Sequence, residues 1–222
     1  MVRNGRTGAL TVIAATGALL LCGCSGSGGH APSHGTAASQ SSPSGSPSSS
    51  PGAASSPSGH LTEDQSERKA LIPAAKVNYE KAAKAAVTAV PGSEPVSVEL
   101  ERGANGKPVW KTEVAKSDGT SSKVPVDATT GKAGQPRTET DEDSEDRAKL
   151  AARLKRAKVT MYQAAATATG RKKGTVSTAE LDDENGTLVW KIDVVTHTDW
   201  NKTTFDVDAG SGKVVREKVD RD

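Results

Sequence analysis

His197 is the only histidine beyond His60, and it stands in His197-Thr198-Asp199-Trp200-Asn201, where a base, a hydroxyl and a carboxylate lie close in sequence. Nucleophilic catalysis would need that base within hydrogen-bond reach of the hydroxyl and oriented by a third group. No motif surrounds it, so it reads as an exposed turn histidine and no catalytic residue is assigned. Trp200 in the same turn has little core to enter, and is either an interface anchor or a cap on a sheet end. Two acidic groupings raise cation chemistry: Asp141-Glu142-Asp143-Ser144-Glu145-Asp146 and Asp182-Asp183-Glu184-Asn185-Gly186. The first lacks the alternating ligands and internal glycine of an EF-hand loop. It precedes a helical pattern, where negative charge favours the helix start. The second reads as a polar hairpin turn. His30, His34 and His60 are scattered among Ser and Gly, so neither a metal site nor a cofactor is implied.

Asp127-Ala128-Thr129-Thr130-Gly131-Lys132 and Asp208-Ala209-Gly210-Ser211-Gly212-Lys213 superficially suggest phosphate loops, but lack the glycine-rich cradle and following Ser/Thr. A local reason suffices. Asp127 and Asp208 can accept hydrogen bonds from backbone N–H groups two residues on, and Gly131 and Gly212 permit left-handed backbone. The stronger observation is that the motif occurs twice. Val109-Trp110-Lys111 returns as Val189-Trp190-Lys191, with the tryptophans 80 residues apart and the aspartates 81. An offset held across several landmarks marks two copies of one small domain. Trp110, Trp190, Asp127, Asp208, Gly131 and Gly212 are therefore its structural anchors.

The elements that position these residues follow from periodicity. In copy one, residues 61–136, Thr62-Glu63-Asp64-Gln65 has capping-box spacing and predicts a short helix to Ile72, interrupted by Pro73. A second helical pattern runs from Ala74 to Val90, with Tyr79, Ala83, Val87 and Val90 on one stripe, and Pro91-Gly92 ends it. Three strands follow: Val96, Val98 and Leu100; Trp110, Thr112 and Val114; Val124 and Val126. The turns between them are marked by Asn105-Gly106 and Asp118-Gly119. Pro125 argues that the third strand is an edge, since a central position would lose a ladder bond. In copy two, residues 137–222, one long helix is expected from Ser144 to Thr169 with Leu150, Leu154, Ala157, Met161 and Ala165 on its stripe, ended by Gly170. Strands through Ala179 and Leu181, through Leu188 to Val194, and through Phe205 and Val207 repeat the plan, with Val215 and Val219 as a possible short fourth. The expected fold class is α+β: two tandem repeats, each a helix packed on a three- to four-stranded antiparallel meander. A domain of roughly 75 residues is marginal alone, so docking of the copies is open.

The first 23 residues read as a targeting segment, excluded from the fold. Arg3 and Arg6 precede a short apolar run, closed by Leu21-Cys22-Gly23-Cys24. That closing pattern resembles the lipobox of bacterial lipoproteins, which implies cleavage after Gly23 and lipidation of Cys24. More than one acyl chain is what stable anchoring requires. Beyond Cys24 there is no cysteine, hence no disulfide framework or thiolate site. Residues 24–60 are rich in Ser, Gly, Pro and Ala without hydrophobic periodicity, expected to be a disordered tether reaching about 30–35 Å. Loss of Arg3 and Arg6 reduces 29 basic residues to 27, against 27 acidic. A balanced charge gives no electrostatic case for nucleic acid.

An Ala-repeating helix, Val90-Pro91-Gly92, the strand Val96-Ser97-Val98-Glu99-Leu100, Val109-Trp110-Lys111-Thr112-Glu113-Val114 and the closing Val126-Asp127-Ala128-Thr129-Thr130-Gly131-Lys132 together resemble the PepSY domain. Copy two departs at Thr169-Gly170-Arg171. With the lipobox, the whole resembles a bacterial, actinobacterial-type lipoprotein with two tandem PepSY domains. The resemblance implies a non-catalytic, extracytoplasmic module that restrains or modulates a peptidase or another envelope protein. No peptidase domain follows within the sequence, so action in trans is expected. The expected partners are the membrane, through Cys24, and a secreted or envelope protein. An edge at Val124 and Val126 would suit strand addition by a partner, with Trp200 as a further contact. The alternative is a lipoprotein that binds a ligand or divalent metal for sensing or uptake.

Overall fold

A run of apolar residues at alternate positions, from Val98 and Leu100 through Ile192 and Val194 to Phe205 and Val207, can be buried only if one sheet face is covered. In the computed structural model, which describes residues 60–140 and 143–221, those side chains form a single core. The signal segment, Cys24, residues 25–59 and the acidic-run members Asp141 and Glu142 lie outside the described residues.

Four helices and eight strands follow in the order α1 (Glu63–Ala74), α2 (Tyr79–Ala89), β1 (Ser93–Arg102), β2 (Pro108–Lys116), β3 (Ser121–Asp127), β4 (Arg137–Thr138), α3 (Ser144–Arg156), α4 (Met161–Arg171), β5 (Thr175–Glu184), β6 (Thr187–Val195), β7 (Lys202–Asp208) and β8 (Val214–Asp220). All strands are antiparallel neighbours in one sheet, ordered β4-β3-β2-β1-β5-β6-β7-β8. The α+β expectation holds, and the copies are joined through β1 and β5.

That junction has an internal symmetry. Val98 pairs with Ala179, its own counterpart in the repeat, while Ser97 faces Glu180 and Glu99 faces Thr178. The two copies are thus related by a pseudo-two-fold axis through the Val98–Ala179 pair, and each completes the sheet of the other.

The expected helices are revised in three places. α1 starts on the predicted capping box, with Gln65 N–H donating to Thr62 Oγ1 at 3.2 Å. It ends at Ala74 with Pro73 inside its last turn, where the proline, lacking an N–H to donate back to the preceding turn, stops the helix one residue later. The helix expected from Ala74 begins only at Tyr79, capped by Asn78. Its buried stripe is Ala82, Ala83 and Ala86, with Tyr79 and Val87 half-buried at its border. The single helix expected over Ser144–Thr169 is two, broken at residues 157–160, because the N–H groups of Lys158 and Val159 turn away to the Ala209 carbonyl (2.8 and 2.9 Å). Thr160 and Gln163 then form a capping box that restarts α4, and Gly170 lies inside that helix.

α2 and α4 lie on the apolar face of the sheet, Ala82, Ala83 and Ala86 on one side and Ala164, Ala165 and Ala168 on the other, all fully buried. The missing side chains beyond Cβ let helix and sheet approach closely, and Trp110, Trp190 and Phe205 fill the remaining depth.

Candidate functional site

The twice-occurring motif is a lock between the end of the meander and the start of the packed helix. In copy one the Trp110 indole N–H donates to the Val77 carbonyl at 2.8 Å, and the N–H groups of Lys76 and Val77 donate to the Ala128 carbonyl at 2.8 and 2.9 Å. In copy two Trp190 donates to Val159 at 2.7 Å, and Lys158 and Val159 to Ala209. Asp127 Oδ1 accepts from the N–H groups of Thr129 and Thr130, each at 2.8 Å, and Asp208 Oδ1 from Ser211 at 2.7 Å. These donated hydrogen bonds hold both carboxyls below the ordinary aspartate range, through Thr130 first at Asp127 and Ser211 first at Asp208. Gly131 and Gly212 take φ of 77° and 74° directly beneath Val77 and Val159. Every anchor of the repeat is consumed in this lock.

α1 and α3 close the two ends of the sheet, each reaching across the pseudo-axis into the other copy. The Arg68 Nε–H of α1 donates to the Trp200 carbonyl at 2.7 Å, and Gln65 Nε2–H to Asn201 Oδ1 at 2.8 Å. Trp200, at φ 58°, stacks its ring on His197 with centroids 5.5 Å apart. His197 Nε2 lies 2.7 Å from the Thr175 hydroxyl, while the Asp199 carboxylate of the same turn is engaged by Thr196 and Asn201. Trp200 therefore sits at the sheet end beside α1, half-buried against the core. At the opposite end α3 lies so close to the β2–β3 turn that a Cβ on Gly119 would fall 1.9 Å from the Arg147 carbonyl oxygen.

The expected edge at Val124 and Val126 is not an open one. Both side chains are fully buried, and the outer side of β3 is taken by the chain itself: Ser122 and Lys123 pair with Thr138 and Arg137, Val126 bridges to Ala133, and the Gly134 N–H donates to the Pro125 carbonyl at 2.7 Å. Pro125 is tolerated there because the N–H it lacks would point to that outer side, as its carbonyl does, and away from the β2 ladder. At the opposite edge the sheet ends in β8, the short fourth strand expected at Val215 and Val219, which runs over Val214–Asp220.

What no helix covers is the polar face of the sheet. Its centre carries Ser97, Glu99, Glu101 and Glu113 from copy one and Thr178, Glu180, Asp182 and Asp193 from copy two. Two clefts flank the pseudo-axis where this face meets the end helices. One of 400 Å³ lies between α1 and Glu99, Thr178 and Asp193; one of 310 Å³ lies between α3 and the counterparts Glu180, Ser97 and Glu113. Glu99 is pushed above the usual glutamate range, first by desolvation and then by Glu101 beside it. In copy two a chain of ion pairs crosses the face. Lys191 Nζ lies 2.8 Å from both Asp182 and Glu184, and Arg216 bridges Glu184, at 3.3 Å, to Asp206. Lys191 is held charged well above the lysine range by Asp182 first and Glu184 second. Sequence reading had only the signal of alternate polar positions for this face, which fixes exposure and not chemistry.

No group of three or more His, Cys, Asp or Glu side chains suited to a metal ion occurs among the described residues, and no described helix is long and apolar enough to cross a membrane. No curated protein matches the sequence. Among solved structures, the chain is similar to a Clostridium difficile 630 protein provisionally assigned as a lipoprotein, at 27% identity and TM-score 0.41 over 65% of this chain and 94% of that one. It is also similar to the YpmB protein from Bacillus subtilis, at 15% identity and TM-score 0.29 over 63% and 96%. The family model "Peptidase propeptide and YPEB domain" matches twice, over residues 76–133 and 158–218, each match spanning one helix-and-meander unit with its lock. By those two matches, which cover more than half of its length, the chain belongs to the PepSY family.

Proposed function

We propose that this protein is a non-catalytic, extracytoplasmic binding module, anchored to the membrane through lipidated Cys24, that restrains or modulates a secreted or envelope peptidase or another envelope protein in trans. The observation that carries this reading is the family membership of both copies in a group of propeptide and regulatory domains. The fold supports it: every repeated anchor is spent on structure, and the polar sheet face left bare by all four helices offers the surface for a partner. The metal-binding alternative has no observation in its favour, since the acidic turn at Asp182 and Glu184 is neutralised by Lys191.

The test is capture on that face. A photo-crosslinking side chain at position 180, in the full-length chain on intact cells, is expected to recover a secreted or envelope protein reproducibly. The purified chain is expected to change that protein's activity or stability. Absence of any reproducible product from position 180 would overturn the reading. Separately, Cys24→Ser is expected to move the protein from the membrane fraction to the medium, and continued membrane retention would refute the anchor.

A further inference from the structure

On the bare face the two copies differ beside the Asn-Gly hairpin. In copy two, the region beside the Asn185-Gly186 hairpin is filled by Glu184, Asp206 and Arg216, with Asp206 only 2% exposed. The counterparts in copy one are Gly103, Pro125 and Gln135. No network forms there; a basin of 780 Å³ takes its place. Its floor is apolar, formed by Pro108, Val109, Pro125 and Ala133 with Gly103 and Gly134 between them. Lys107, Lys132 and Arg137 stand on its rim, all exposed, and the backbone donors of Thr130 and Thr129 are joined by the charge of Lys107 in lowering the pKa of the Asp127 carboxyl. The fourth rim cation, Lys111, pairs with Glu101. The one carboxylate lining the basin, Asp127, has its Oδ1 occupied by Thr129 and Thr130.

Resting on the binding-module reading above, we infer that this basin is the docking site for an acidic peptide segment of the partner, its apolar side chains on the floor and its carboxylates on Lys107, Lys132 and Arg137. A volume of this size accommodates two or three side chains, within the range of small-ligand pockets, and the rim charge selects the sign of the occupant. The chain's own N-terminal segment cannot serve, because it contains no Asp or Glu before Glu63. A lipid surface is disfavoured because strands and turns line the basin, whereas binding in a membrane interface is the property of an amphipathic helix with a basic polar face.

The experiment uses the full-length chain and three labelled octapeptides, alternating Glu and Leu, Lys and Leu, or Glu and Ser, read by fluorescence anisotropy. The Glu-Leu peptide is expected to bind, more weakly as salt rises, and the other two at least about tenfold more weakly. The double variant Lys107→Glu/Lys132→Glu is expected to lose about tenfold or more in affinity. Pro125→Asp/Gln135→Arg, which writes the copy-two pair into copy one, is expected to do the same by filling the floor. Lys213→Glu, the copy-two counterpart of Lys132, is the control and is expected to bind as the parent does, with unchanged unfolding curves for all variants checked first. The inference is overturned if no peptide binds at millimolar concentration, if the Lys-Leu peptide binds equally, or if Lys213→Glu loses as much as the double variant. Binding of phosphatidylglycerol vesicles, but not the Glu-Leu peptide, through Lys107 and Lys132 would also overturn it. A partner captured at position 180 that is retained by Lys107→Glu/Lys132→Glu would refute the basin while leaving the binding-module reading intact.

Discussion

The tryptophans of the repeat act through one hydrogen bond each as well as through bulk. Trp110 and Trp190 are 1% and 3% exposed, and their indole N–H groups satisfy carbonyls at Val77 and Val159 that the helix breaks would otherwise leave unpaired. Trp110→Phe removes the donor, leaves a buried acceptor alone and vacates volume. Loss of the partner alone costs about 1–3 kcal/mol, so urea unfolding is expected to show at least that destabilisation, and an unchanged midpoint would refute the lock. The aspartates make a second, pH-dependent prediction. Both folded pKa values lie below the unfolded value of about 3.9. Their contribution is therefore full above that value and is lost as pH falls through the lower folded values. Thermal unfolding from pH 5 to pH 2 is expected to show a stability decline that is shallower in Asp127→Ala/Asp208→Ala. An identical slope in the variant would contradict the assignment. The same residues were legible in the sequence as turn formers. Their coupling to Val77 and Val159, some fifty residues earlier in the chain, was not, because turn chemistry is local and the lock closes a long loop.

At the scale of elements, the end helices behave differently from the face helices. α2 and α4 bury continuous alanine stripes, whereas α3 buries no residue fully. α3 is positioned instead by contact with the β2–β3 turn at Gly119, whose φ is +84°. Gly119→Ala would meet the Arg147 carbonyl and take on left-handed strain of about 1–3 kcal/mol. The expected outcome is faster amide exchange over residues 144–156 with α2 and the strands little changed, and uniform protection would sink the docking claim. Periodicity could anticipate four helical turns of stripe from Leu150 to Ala165 but not the break at residues 157–160, because the stripe continues in register across it. What decides the break is the competition for two N–H groups by the Ala209 carbonyl, which outlies any local window.

At the scale of the molecule, the β1–β5 junction joins the two copies in one sheet, which predicts that they unfold as one body. Val98 and Ala179 are fully buried at the axis, and α1 and α3 each close a sheet end belonging to the other copy. Calorimetry of the full chain is expected to give a single transition, and Ala179→Asp, which buries an unpaired charge, is expected to lower it as a whole. Two resolved transitions, with only copy two shifted, would show that the copies are independent. The sequence by itself determined the repeat, the antiparallel meanders, the turn residues and the family resemblance, since each is written in side-chain identity at short spacing. Tertiary structure alone decided that the copies share one sheet, that β3 is sheathed by residues 133–138, and that equivalent positions on the bare face become an ion-pair network in copy two and an open basin in copy one. Those outcomes depend on which edges and faces meet, and hydrogen-bonding edges carry no side-chain signature for a linear pattern to show.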